Sequence, residues 1–312
     1  MRDTVTLDRF SNAAAVACDT VELSILVPFY KDDPSALAVA LNPLIGARKD
    51  IEIVLYDDGC PDQALNENLR RTLKAMTAPA RLITAAENTG RSAGRNVLAN
   101  EARGRWSLYL DADMLPCDDA FLTAYLERIK DDDFDAAFGG YETLPPSDDD
   151  LALHAALSAT SDHADAARRE AIGATAFCSS NLLVRTDVVR DIPFDTEFTG
   201  WGWEDIDWAV SAGATHRLIH LDNPARHGGL QSADILLEKF RSGAVNYARL
   251  LDKHPHLAAL PGAKAARLIG AVPFQRRLRG LWAFLARTST MPMRLRTLAV
   301  KLWRASWTAE VM

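Results

Sequence analysis

The sequence predicts an α/β protein: a central, mostly parallel mixed sheet flanked by helices, followed by a helical C-terminal extension. Three observations carry this expectation. Through about residue 115, short β-rich runs alternate with helical periodicity, as parallel strands joined by crossover helices require. Two of those runs stop abruptly in acidic turns, Asp57-Asp58-Gly59 and Asp111-Ala112-Asp113. From about residue 230 onward the apolar pattern is helical throughout.

Taken in order, Leu23–Val27 is a buried-strand run closed by Pro28, and residues 34–44 set Leu37, Ala40, Leu41 and Leu44 on one helical face. Ile51–Tyr56 is the second strand, and Pro61 opens a helix with Leu65, Leu69 and Met76 in step. Arg81–Thr84 and Trp106–Leu110 are the next strands, separated by Asn88-Thr89-Gly90 and a helix through about Asn100. Residues 131–150 read as an acidic, turn-rich segment punctuated by Pro145-Pro146-Ser147, and residues 151–171 as an Ala-rich helix. Phe177–Val184 and Thr215–Leu221 are the last strand candidates, with Gly200–Trp203 leading into a helix and His227 in a glycine loop.

Composition narrows the function. With 48% apolar and 25% charged residues, the 312-residue chain can bury a sizeable core. No run reaches the ~20 apolar residues needed to cross a bilayer, and residues 1–22 show no export signal. Four scattered cysteines without a CxxC pair argue against a disulfide framework or zinc site, so the expected setting is cytoplasmic. The net charge of −7 divides into −17 for residues 1–229 and +10 for Leu230 to Met312. An acidic body repels phosphate, which excludes nucleic acid as the expected partner.

In open α/β sheets ligands gather beyond the carboxyl ends of the strands, where Asp57, Asp58, Asp111 and Asp113 all fall. Asp111 and Asp113, one residue apart, suit Mn²⁺ or Mg²⁺ bridging a diphosphate; the plain alternative is a solvated turn. Asp57 or Asp58 suits a base or ribose, or else merely caps a turn in which Gly59 supplies positive φ. Pro28-Phe29-Tyr30 puts a ring at the neighbouring strand end, where a base can stack. Arg91 and Arg95 lie one turn apart and face phosphate, an active-site carboxylate or solvent. In Gly200-Trp201-Gly202-Trp203-Glu204-Asp205, the acids fit a helix N-terminus, but capping does not require the tryptophans. That segment suggests a sugar platform beside a general base.

In order and spacing, Val27-Pro28-Phe29-Tyr30, Asp57-Asp58-Gly59, the stretch from Asn88 to Gly94-Arg95-Asn96, and Leu110-Asp111-Ala112-Asp113 resemble the family 2 glycosyltransferases of the GT-A fold. Gly200 to Asp205 and the later His227 resemble the Gly-Trp-Gly-x-Glu-Asp segment and distal histidine of galactosyltransferase-type C-terminal regions. Trp203 departs from that pattern, where a small residue is common. The resemblance spans residues 22–230 and implies a nucleotide-sugar-binding half (22–115) and an acceptor half (116–230), between an extension (1–21) and a basic helical region (231–312).

The resemblance implies that Pro28 and Tyr30 line the base pocket, Asp57 or Asp58 contacts the nucleoside, and Arg95 faces the donor. Asp111 and Asp113 would hold Mn²⁺ or Mg²⁺ on the diphosphate with His227 closing the coordination. Asp205 would be the general base, Glu204 a sugar contact, and Trp201 and Trp203 the sugar platform. The implied reaction moves a sugar from a UDP-linked donor to a hydroxyl of a glycan or lipid-linked acceptor, with inversion. The division of labour is physically consistent: a hydroxyl needs a base, whereas a cation-bound diphosphate leaves without a proton. A retaining hydrolase would want two facing carboxylates and no nucleotide pocket.

Two basic, Trp-bearing amphipathic stretches, Gln275–Arg287 and Met293–Trp307, fit either an anionic membrane surface or docking on the acidic body. Residues 264–307 therefore carry the expectation of peripheral contact with the inner face of a membrane. Pro28-Phe29-Tyr30-Lys31 stands where a dehydrogenase needs its glycine fingerprint, and no Walker A motif occurs. The rival from another class is a non-catalytic scaffold in a polysaccharide-assembly complex.

Overall fold

The structure, a computed structural model, describes residues 7–161 and 164–312. Its centre is an eight-stranded sheet in the order β1 (Leu7–Ser11), β4 (Ala80–Ala85), β3 (Ile51–Asp57), β2 (Leu23–Phe29), β5 (Trp106–Leu110), β9 (Asn181–Arg185), β7 (Ala136–Phe138) and β10 (Leu218–His220). The run β4-β3-β2-β5 is parallel, and antiparallel β1 and β9 flank it. The expected mixed α/β fold is the one observed.

The four parallel strands are buried on both faces, so their residues alternate between two apolar layers. Ile25, Val27, Ile53 and Leu55 face the layer containing α2 (Ser35–Ile45), α3 (Gln63–Ala75) and α5 (Phe121–Arg128). Leu26, Val54 and Tyr56 face the layer of α4 (Arg91–Glu101), α8 (Thr186–Asp191) and α9 (Glu204–Ala212). Asp62 rather than Pro61 starts α3, its carboxylate accepting from the amides of Ala64 and Leu65.

Several segments differ from the sequence reading. Residues 7–11, within the expected extension, pair with β4; residues 1–6 of that extension lie outside the described residues. The acidic stretch 131–150 contributes β7 and β8 (Tyr141–Thr143), each too short to leave a periodic signal. The Ala-rich segment forms α6 (Ala152–Ser161) and α7 (Ala166–Ile172), with residues 162 and 163 outside the described part. His227 is not in a flexible loop. It ends β11 (Ala225–His227), the middle strand of a small sheet between β6 (Met114–Pro116) and β8.

The C-terminal region is α10 (Ala233–Lys253), α11 (Pro261–Gly270), α12 (Arg279–Arg287) and α13 (Met293–Val311). Trp282, Ala283, Ala286 and Val300 share a core with Leu153 and Leu237. Trp303 Nε1 donates to the Leu237 carbonyl at 2.9 Å. One face of the tail is thus docked on α6 and α10. Among the described residues no helix is long and apolar enough to cross a membrane.

At the opposite end of the sheet from the acidic turns, Glu52 is fully buried. It accepts from Ser24 Oγ at 2.8 Å, Arg81 Nε at 3.0 Å and Arg103 Nε at 2.8 Å. Burial works to raise its pKa, but Arg103, Arg81 and Ser24 outweigh burial and hold it below the ordinary glutamate value. Its stabilisation is therefore present at neutral pH and fades as pH falls from the ordinary value through the depressed one. Glu52→Ala should cost on the order of 3 kcal/mol, because it removes the buried carboxylate that Arg81 and Arg103 share. Urea unfolding at pH 7 measures it.

Candidate active site

The parallel strands end at a cleft of about 1060 Å³. Its position follows from topology: from β2 the strand order runs out through β3 and β4, and the chain then returns through α4 to lay β5 on the other side of β2, so the carboxyl ends of β2 and β5 flank the point where the order reverses. Pro28, Tyr30, Asp58, Asp111 and Asp113 line it.

Asp58 holds the local architecture. Its carboxylate accepts from the amides of Thr89 and Gly90, both at 2.8 Å, from Thr89 Oγ1 at 2.7 Å and from Asn88 Nδ2 at 3.0 Å. Gly59, at φ 72°, allows the close approach: a Cβ there would collide with the backbone of Glu87 and Asn88. This clamp fixes the start of α4 and so aims Arg91 and Arg95. Asp57 turns away from the cleft, fully buried, and accepts from the Cys60 amide at 2.7 Å and Asn66 Nδ2 at 2.5 Å.

Arg91 and Arg95 tie distant segments together. Arg95, buried, donates to Asp111 at 2.8 Å and lies 3.9 Å from Glu204. Arg91 donates to Glu204 at 2.9 Å and lies 3.6 Å from Asp111. Burial opposes the Glu204 carboxylate, but Arg91 and Arg95 outweigh it and keep its pKa low. Burial, then the Glu204 charge, push the neighbouring Asp205 up to about 6. Asp205 is partly exposed, and the Cys178 thiol, which accepts from Ser180 Oγ at 3.2 Å, opposes the rise in the Asp205 pKa.

The small sheet brings His227 to the acidic turn. Its register pairs His227 with Met114, and the Gly228 amide donates to the Asp113 carbonyl at 2.9 Å. His227 Nε2 consequently lies 3.2 Å from Asp113 Oδ2. Burial works to raise the Asp113 carboxyl, but His227 holds it below the ordinary value. Gly229 leaves space beside both groups: a Cβ there would strike Asp113 Oδ2 and come within 3.0 Å of His227 Nε2. Asp111 turns instead to the arginines. No group of three or more His, Cys, Asp or Glu side chains is arranged for a metal among the described residues.

Trp201 lines the cleft, whereas Trp203, Glu204 and Asp205 do not; Glu204 is joined to it through Arg91 and Arg95, which do. At φ 79° Trp203 stacks on Tyr247, ring centroids 4.2 Å apart, with the Arg304 guanidinium 4.7 Å over its ring. Sequence reasoning missed Asp32, His154, Lys239 and Arg304, which also line the cleft. Asp32 lies two residues past the Pro28–Tyr30 motif and was legible as one more acid beyond a strand end. The others sit on helices whose approach no local pattern announces. The Lys239 ammonium has no ion pair within 4 Å among the described residues; burial and Arg91 lower its pKa against the pull of Asp113 and Asp32.

An open sheet with nucleotide-binding topology, an acidic turn at the switch point and a helical C-terminal wall defines a glycosyltransferase of the GT-A fold. The pattern described as "Glycosyl transferase family 2" matches residues 24–192, more than half of the chain, and the protein belongs to that family. Among solved structures it is similar to residues 1–349 of TarS from S. aureus, at 17% identity, covering 93% of this chain and 90% of that one, with a TM-score of 0.53. The same TarS fragment in complex with UDP-GlcNAc matches at 17% identity over 93% and 90%, TM-score 0.52. The mannosyltransferase PcManGT from Pyrobaculum calidifontis, in complex with GDP-Man and Mn²⁺, matches at 16% identity over 94% and 88%, TM-score 0.62. No curated protein sequence matches.

Asp58→Ala would leave the Thr89 and Gly90 amides without their acceptor. A loss of about 3 kcal/mol is expected, read as a lowered urea midpoint with an unchanged m-value.

Proposed function

We propose that the protein transfers a hexosyl group, with inversion, from a nucleoside-diphosphate sugar to a hydroxyl of a glycan or lipid-linked acceptor. UDP is the expected nucleotide. The observation that carries the reading is the double link of Arg91 and Arg95 to Asp111 and Glu204, which joins the donor end of the sheet to the Gly200–Asp205 segment. The neighbours bound to UDP-GlcNAc and to GDP-Man with Mn²⁺ support the donor class.

In this reading Pro28 and Tyr30 receive the base and Asp58 shapes the nucleoside pocket, while Asp57 acts from behind through the Cys60 turn. Trp201 takes a sugar face, while Trp203, stacked on Tyr247 outside the cleft, holds Arg304 over its ring. Asp205 removes the acceptor proton as the hydroxyl oxygen attacks the anomeric carbon; the bond from that carbon to the diphosphate oxygen breaks, and the nucleoside diphosphate leaves. Burial, with the charge of Glu204 that Arg91 and Arg95 keep ionised, raises Asp205 to about 6, suited to a base. Lys239 faces the departing diphosphate.

Asp113 and His227, with the space beside Gly229, fit a divalent cation, Mn²⁺ or Mg²⁺. When bound, such a cation supplies charge stabilisation for the leaving diphosphate. Asp111, occupied by Arg95, acts more as the anchor of the acidic turn than as a third ligand.

The base is tested with donor and acceptor turnover. Asp205→Asn should lower kcat by about 10²–10⁴-fold with donor affinity retained. For the wild type, kcat/KM should rise with pH through about 6 and level off above it, since the carboxylate must be ionised to act. Turnover unaffected by the substitution would remove Asp205 from this role; no turnover in any donor panel would favour the scaffold reading. Gly229→Ala should weaken Mn²⁺-dependent UDP binding at least tenfold by titration calorimetry, with unfolding temperature unchanged. Unaltered Mn²⁺ dependence would move the cation elsewhere.

A further inference from the structure

The outward face of the C-terminal helices has a composition that its inner packing does not require. Between Asp252 and Glu310 the sequence holds eleven Lys or Arg and no Asp or Glu. Part of that charge is used internally. Arg296 is buried and donates to the Ala286 carbonyl at 2.9 Å; Arg279 and Arg276 pair with Glu310, and Arg287 with Asp234. Lys264, Arg267 and Arg277 remain exposed, with no ion pair among the described residues.

Among these cations stand large apolar side chains in solvent. Leu268 is 72% exposed, Phe274 73% and Phe284 58%, with Val272, Leu278 and Leu281 also exposed. The helical repeat accounts for their alignment. In α12, Trp282, Ala283 and Ala286 point inward, which turns Leu281 and Phe284 outward, and Leu278 extends the stripe one turn back. Phe274 sits at the corner between α11 and α12 with φ 59°, a left-handed conformation that strains a bulky residue and holds its ring out at a turn.

We propose that this face, from α11 through α12, docks on an anionic lipid bilayer, with Phe274, Leu281 and Phe284 at the boundary of headgroups and acyl chains. Lys264, Arg267 and Arg277 then meet the acidic headgroups. The pattern favours a bilayer over a protein partner. The Arg277 guanidinium lies 4.9 Å over the ring of Phe274, the most exposed of these apolar side chains. Exposed apolar side chains interleaved with cations, over a run of eleven Lys or Arg with no acid, suit an interface whose headgroups are anionic and whose interior takes the apolar groups. The acidic body, −17 over residues 1–229, is repelled by the same surface, so attraction and repulsion fix one orientation. The proposal deepens the lipid-linked-acceptor reading and rests on it only for what the docking achieves.

Co-sedimentation of the full chain with phosphatidylcholine vesicles, with and without phosphatidylglycerol, tests it, and donor hydrolysis is followed on the same samples. Binding should be at least tenfold tighter to the anionic vesicles and weaken as salt rises from ~0.1 M to ~1 M. Phe274→Ser with Phe284→Ser should reduce binding at least tenfold, and so should Lys264→Glu with Arg277→Glu, while thermal unfolding and donor hydrolysis stay at wild-type values. Equal binding to both vesicle types, or variants that bind like the wild type, would overturn the proposal. So would a wild-type dimer that the serine variant makes monomeric in the absence of vesicle binding, since the face would then belong to a second copy. Lost hydrolysis with vesicle binding intact would instead count against the catalytic reading alone.

Discussion

Two arginines on one helix, each within reach of the same two carboxylates, organise the cleft. Asp111 arrives just past the end of β5 and Glu204 at the start of α9, and both meet the one face of α4 that carries Arg91 and Arg95. Glu204 would not stay ionised at such depth by itself, and Arg95 would not stay buried without its carboxylate partners. The network therefore constrains position and protonation together. It keeps Glu204 charged, and that fixed negative charge helps to raise Asp205. The order of dependence runs from Asp58, which holds the Asn88–Gly90 turn, through the aim of α4, to the proton affinity of a residue more than a hundred positions later.

Much of this was legible in the chain because the relevant signals were local. Strands β2, β3 and β5 are apolar runs that end in acids or an aromatic ring, and parallel-sheet topology sends such ends to one crevice. The same logic went only partway at Asp57 and Asp58. Sequence treats adjacent acids alike, but alternation along the strand buries one and presents the other. Trp201 and Trp203 divide for a comparable reason: the positive φ of Trp203 swings its ring to Tyr247 and Arg304, out of the cleft.

What stayed hidden depends on elements that meet only in three dimensions. Lys239 and Arg304 come from α10 and α13, which close one wall of the cleft, so the basic tail is part of the site as well as a surface. Sequence offered docking and membrane contact as alternatives for these helices. An amphipathic helix with a second exposed apolar stripe permits one face for each, as Trp282 and Phe284 of α12 illustrate.

The three-residue strands of the small sheet carry a consequence for length variation. His227 reaches Asp113 only because Ala225–His227 pairs with Met114–Pro116 in one register. In a β-ladder a one-residue slip sends each side chain to the other face. A single inserted amino acid between Asp222 and Ala225 would rotate the imidazole away from the acidic turn. The wholly exposed stretch 145–150, by contrast, makes a natural grafting position for a tag or reporter peptide, since it lies beyond the Leu144 amide that donates to the His227 carbonyl.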